Sequence, residues 1–130
     1  EVVRVRTVGR IDRSIYSCVA DDIVTDEVII TEERIAHIAG RHPGDYERFC
    51  QCLKEVVERP DFIVETQKPN TALLLKELAE LDGKKFKTIL RLMTSREKSD
   101  YKNSIITFMK IDEKEWNRLI RNKKIIYKRE

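Results

Sequence analysis

The spacing of apolar residues along this 130-residue chain changes at Arg59-Pro60-Asp61. Before that point Ile35 and Ile38, then Tyr46, Phe49, Leu53, Val56 and Val57, recur at intervals of three and four, which places them on single faces of helices. Two helices are predicted, over 32–40 and 45–58. Thr31 has the chemistry of an N-cap, Glu32 and Glu33 occupy the positive end of the first helix, and Gly40 followed by Pro43 marks its stop. After Arg59 the period drops to two. Phe62–Thr66, Thr71–Leu78, Phe86–Thr94 and Asn103–Ile111 read as four strands, linked by Lys68-Pro69-Asn70, Asp82-Gly83-Lys84 and the polar stretch Ser95–Lys102. Short links favour antiparallel neighbours, so the strands are expected to form a meander. Asp112 opens a late helix through Trp116, Leu119 and Ile120, and Lys123–Lys128 closes the chain as a strand. Ile15–Ala20 and Val28–Thr31 are short β-rich runs, and the first fourteen residues read as a basic arm or linker. The expectation is an α+β fold: N-terminal helices packed on one face of a four-stranded antiparallel meander, with a late helix and C-terminal strand, in one domain over 1–130.

With 41% hydrophobic residues the chain can build a core without metal or disulfide staples. Three cysteines, Cys18, Cys50 and Cys52, form neither an even disulfide set nor a C-x-x-C motif, so reduced thiols are expected. No apolar run reaches the length of a membrane span, and a monomer is expected, with no membrane partner. The chain begins at Glu1, which suggests a piece of a longer polypeptide. Charges nearly cancel, 26 basic against 23 acidic, so an anionic partner is permitted rather than demanded. Their distribution says more. Acidic residues concentrate before Asp82, whereas Lys84 to Lys110 and the C-terminal tail are basic, which suggests a phosphate-binding surface.

Both histidines fall in the stretch Thr31–Pro43, with Arg34 and Arg41 around them. A helix docked by Ile35 and Ile38 would present His37 beside Arg34, and His42 would sit just past the helix end. On the strands, Lys76, Arg91 and Thr107 each stand between apolar residues of their own face. A long cation among apolar neighbours must be paired or point into a cleft. In register, the three would make a polar island; an ordinary surface lysine or arginine is the competing explanation. Metal-free RNA cleavage needs a base for the 2′-hydroxyl, an acid for the departing 5′-oxygen and cations for the phosphorane charge. His37 or His42 can fill the first two roles. Lys76 and Arg91 can fill the third, Ser104 or Thr107 can donate to a phosphate oxygen, and Arg34, Arg41 and Lys87 can hold substrate phosphates. The histidines stand five positions apart, which places them on different sides of a helix and argues against a zinc site. No metal or other cofactor is expected.

The ordered set Arg-Ile-x-His-Ile-x-x-Arg-His-Pro, Arg-Pro-Asp-Phe-Ile, Asn-Ser-Ile-Ile-Thr-Phe and Ile-Ile-Tyr-Lys, from about Val28 to Lys128, resembles the phage-associated nuclease domains of the barnase–EndoU–colicin–RelE (BECR) superfamily. The resemblance implies helices against a four-stranded antiparallel meander and metal-independent RNA cleavage, often of tRNA. It implies a site where a helix histidine meets basic and hydroxyl residues of the sheet: His37 and His42 with Lys76, Arg91, Ser104 and Thr107. Such domains occur at the C-termini of polymorphic toxins. The expected setting is therefore the cytoplasm of a target cell, reached as part of a larger protein, with a cognate immunity protein as partner. The alternative is a non-catalytic RNA-binding or virion-associated module using the same basic sheet; there, binding would survive loss of both histidines.

Overall fold

The computed structural model describes residues 4–97 and 101–130. The start of the predicted arm and the middle of the predicted Ser95–Lys102 loop lie outside the described residues. Among these residues seven strands form one sheet: β1 (Val5–Arg10), β2 (Glu27–Thr31), β3 (Phe62–Glu65), β4 (Thr71–Leu78), β5 (Lys84–Arg91), β6 (Asn103–Ile111) and β7 (Ile125–Lys128). Their spatial order is β1-β2-β6-β5-β4-β3-β7. The predicted four-stranded antiparallel sheet is thus corrected to a seven-stranded mixed one. Strands β3 to β6 run as antiparallel neighbours, but β2 adds to β6 in parallel, β1 pairs outside β2, and β7 pairs outside β3. Pattern reading stopped at the meander because a parallel pairing between segments some seventy residues apart leaves no local signal.

Five helices join the strands: α1 (Arg13–Tyr16), α2 (Glu32–Arg41), α3 (Asp45–Phe49), α4 (Leu53–Glu58) and α5 (Glu113–Asn122). Val5–Arg10, expected in a linker arm, is an edge strand. Its outward residues are polar or exposed, so no alternating apolar signal marks it. Ile15–Ala20, expected as a strand, instead begins within α1. Asp12 accepts hydrogen bonds from both the backbone N–H (2.9 Å) and the hydroxyl (2.6 Å) of Ser14, and this cap sets the turn. The predicted helix over 45–58 is broken at Cys50–Cys52 by a single 3₁₀ turn. The break re-aims the apolar stripe, and Tyr46, Phe49, Leu53, Val56 and Val57 are all buried.

The helices occupy both faces of the sheet rather than one. Residues of α1–α4 bury Tyr16, Ile38, Leu53, Val56 and Val57 against Leu74, Phe86, Leu90, Ile105 and Phe108. Phe86 stacks on Phe108 with ring centroids 5.6 Å apart and meets the edge of Phe49 at 5.1 Å. On the other face, α5 lays Trp116 and Leu119 over Val64, Leu73, Leu75 and Ile111. That helix spans only half of its face. Its N-cap Asp112 accepts from the Glu115 N–H at 2.8 Å, and the chain leaves it at Lys123, so the ends of β4 and β5 around Thr71 and Arg91 stay uncovered. No described helix is long and apolar enough to cross a membrane.

Candidate active site

Strand β2 pairs with β6 only at Val28↔Asn103 and Ile29↔Ser104. After Thr31 the chain leaves the ladder and becomes α2, which packs beside β6. Thr31 Oγ1 accepts from the Arg34 N–H at 3.1 Å, so the N-cap fixes the backbone of Arg34 itself. Ile38 is fully buried in the main core and Ile35 packs against it. Docking by these two isoleucines leaves Arg34 half-buried and His37 exposed one turn further on, about 4.5 Å along the axis.

The half-open face of the sheet, opposite to the one on which Ile38 of α2 packs, carries a row of three polar residues. Thr71 pairs with Arg91 across β4–β5, and Arg91 pairs with Ser104 across β5–β6. Between Leu90 and Ile89 the register with β6 slips by one residue: Leu90 faces Ile105 whereas Ile89 faces Thr107. Ile106 is the additional residue of this β-bulge. The slip reverses the parity of the strand, so Ser104 and Thr107, three apart, both lie on the face of Arg91, while Ile105 and Phe108 both enter the core. A regular strand would have sent Ser104 and Thr107 to opposite sides.

Arg34, Lys68, Thr71 and Arg91 surround a cleft of ≈ 380 Å³ whose apolar wall is Ile89 and Ile106. It continues into a second cleft of ≈ 400 Å³, which shares Lys68, Thr71, Ile89 and Ile106 and ends at Lys123. Arg91 Nη2 donates to Glu97 Oε1 at 3.0 Å, which aims the guanidinium from one side. Three cations, two of them arginines with planar donor arrays, converge on an open apolar face and suit a phosphate ester; Ser104 and Thr107 share that face, but neither they nor His37 line the cleft.

A family comparison gives that cleft its context: the model for the family described as phage-Barnase-EndoU-ColicinE5/D-RelE like nuclease2, PBECR2, matches residues 5–128. The chain belongs to this family. Its activity class is accordingly that of a BECR-superfamily nuclease. Neither the comparison with curated proteins nor that with solved structures yields a match.

Within this PBECR2 nuclease not every residue expected at the site reaches it. Lys76 pairs with Phe86, five residues from Arg91 on an unbulged stretch of β5, and therefore points to the opposite face. It is 4% exposed, and its Nζ donates to Arg59 O at 2.6 Å and to Asp61 at 3.4 Å. Lys76 ties β4 to the turn before β3 and takes no part in the cleft. Lys87 shares the face of Arg91 but lies about 13 Å along the strand, where its Nζ sits 3.6 Å from Glu115 of α5. Arg41 is exposed at the end of α2. His42 is half-buried, and its backbone N–H closes the helix on Ile38 O at 2.7 Å.

Sequence reading missed Lys68 and Thr71, which it took only for a turn and a strand start. Thr66 Oγ1 lies 3.0 Å from Lys68 O and 3.1 Å from Thr71 O, so the hydroxyl pins the turn that carries both. Asn103 was also missed. Fully buried, it donates from Nδ2 to Thr25 O at 2.8 Å and accepts from the Met93 N–H at 2.8 Å, joining β6 to β5 and to the approach of β2. The polar residue beside Ser104 in an otherwise apolar run was the available signal.

Proposed function

We propose that this chain is an endoribonuclease toxin domain that cleaves RNA, tRNA foremost, by transphosphorylation without a metal ion. The observation that carries this reading is the meeting of Arg34 from α2 with Arg91, Thr71 and Lys68 around one cleft in a member of a nuclease family. The 2′-oxygen of the substrate loses its proton and attacks the adjacent phosphorus. The P–O5′ bond then breaks, and the departing oxygen takes up a proton. His37, one turn beyond Arg34, is assigned the proton transfers, taking the first proton and returning the second. Arg34 and Arg91 hold the charge that builds on the phosphorane, and Ser104 and Thr107 supply hydroxyl donors on the same face. His42, about 12 Å from Arg34 along the helix, is assigned to the helix end instead of the chemistry. A domain with this activity would act in the cytoplasm of a target cell and be held in check by an immunity protein.

The purified protein is incubated with total RNA in EDTA and the product ends are mapped. Discrete fragments ending in 2′,3′-cyclic phosphate and 5′-hydroxyl are expected. Cleavage that requires an added divalent ion overturns the metal-free scheme. RNA retained but never cut would leave a binding module, since lysines and arginines alone suffice for phosphate affinity.

A further inference from the structure

The cationic cleft occupies only one half of the uncovered sheet face. The other half has a different chemistry, and phosphate recognition gives no account of it. Its floor is Leu73, Ile89 and Ile106, and its rim is the segment Glu65 to Gln67. Ile106 is half-exposed there because the bulge turns it outward, and α5 does not reach it. Lys123, at the end of α5, closes the far side. From Arg34 and Arg91 to Lys123 the surface therefore runs cation, apolar, cation. One nucleotide unit of RNA has the matching order: a phosphate, a base with apolar faces, and the next phosphate.

We propose that this second cleft is a nucleobase subsite, which takes a base unstacked from single-stranded or looped RNA. The inference rests on the nuclease reading above and adds to it the form of RNA that the site accepts. A base in a duplex has both faces covered by its neighbours, so only an unpaired one can lie on the aliphatic floor. The rim is built to hold its shape: Thr66 Oγ1 accepts from the Lys68 N–H at 3.3 Å, Thr71 Oγ1 donates to Pro69 O at 3.0 Å, and Asn70, in the left-handed region at φ 56°, accepts from the Leu92 N–H through its carbonyl at 2.8 Å. Those bonds commit the threonine hydroxyls to the turn. They leave the exposed Glu65 carboxylate and Gln67 amide to meet the edge of the base, one as acceptor and the other as both donor and acceptor. A rim fixed before binding limits the ordering cost, so even a shallow floor can contribute affinity.

The test uses the 15.4 kDa chain and backbone-amide NMR shifts, with inorganic phosphate and the four nucleoside 3′-monophosphates as probes. Phosphate alone is expected to move residues around Arg34, Lys68 and Arg91. Nucleotides are expected to move Gln67, Leu73 and Lys123 as well, which line the second cleft alone. Gln67→Ala, at a residue that lines the second cleft alone, should weaken nucleotide binding about threefold to tenfold through a lost hydrogen bond to the base edge, with phosphate binding unchanged. Nucleotide shifts confined to the residues moved by phosphate, or nucleotide affinity unchanged in Gln67→Ala, would overturn the proposal. The two readings fail separately. RNA cleavage without base-dependent shifts keeps the nuclease and removes the subsite; base-dependent shifts without cleavage keep the subsite and remove the chemistry.

Discussion

An ammonium held at 4% exposure must be paired, and Lys76 is paired with Asp61, the Arg59 carbonyl and, at 3.6 Å, Glu55. Asp61 is a hub in turn: it accepts from the Glu77 N–H at 2.8 Å and from Arg129 at 2.8 Å. Lys76→Met keeps the apolar stem and removes the charge, so it should lower unfolding free energy by about 1.5–3 kcal/mol, read by denaturant titration. RNA binding by the folded fraction should be unaffected. Arg91→Ala should do the reverse, because its ion pair with Glu97 is largely exposed and contributes at most about 1 kcal/mol, whereas the cleft loses a guanidinium. Equal stability losses in the two variants would contradict this division. His37→Ala removes an exposed side chain and should change stability by no more than about 0.5 kcal/mol. If His37 moves the protons, RNA cleavage should fall by about a hundredfold to ten-thousandfold. Residue-level chemistry was legible in part. The need of Lys76 for a partner could be read from its apolar neighbours, but the face it shares with Phe86 depends on register, which single-strand patterns do not encode.

Among the elements, β6 departs furthest from its sequence pattern. Strict alternation separates Ser104 from Thr107, and a single extra residue unites them, so one bulge decides which hydroxyls can share a phosphate. Deleting Ile106 should restore regular alternation with Ser104 and Thr107 still on the cleft face and Ile105 and Phe108 still in the core. The deletion variant is therefore expected to fold with a melting temperature close to that of the parent, while nucleotide binding weakens; collapse of the fold would show that the bulge is structural. Carboxylates at the joints between elements give a second prediction. Hydrogen bonding from Ser14 holds Asp12 below its ordinary pKa at the α1 cap, Lys102 does the same for Glu27 of β2, and Arg118 for Glu115 of α5. For Glu58, burial acts upward but the bonds from Lys54 and the Arg10 N–H outweigh it. A carboxylate with a depressed folded-state pKa stabilises the fold at pH values above its unfolded pKa, and that contribution disappears as pH falls through the folded value. Stability should thus be flat near neutrality and decline below about pH 4.3, with a shallower decline in Glu115→Gln, measured by thermal melts across the acid range.

At the scale of the molecule, the two faces of the sheet are divided between stability and access. One face is closed by α1–α4, and the other is half closed by α5 and half open as the cleft. The meander β3–β6 makes local contacts, while β1 and β2 must find β6 across a long connection, and edge strands lack a second partner. Amides of β4 and β5 should therefore exchange with solvent only on global unfolding, and those of β1 by local opening, as hydrogen-exchange mass spectrometry can resolve. Uniform protection across the sheet would refute that gradient. The central strands, the closing strand β7, the short run that is β2 and the capped helices could be read from period and capping chemistry, whereas β1, the parallel pairing of β2 with β6 and the second helical face required the packed molecule. The bulge also has a genetic consequence. Loss of the single codon for Ile106 would leave both apolar cores filled, so proteolytic quality control would find little to degrade. The product would accumulate as an intact protein with a weaker hold on nucleotides: a lineage could attenuate the domain by this route while keeping the rest of its surface, and with it anything that recognises that surface.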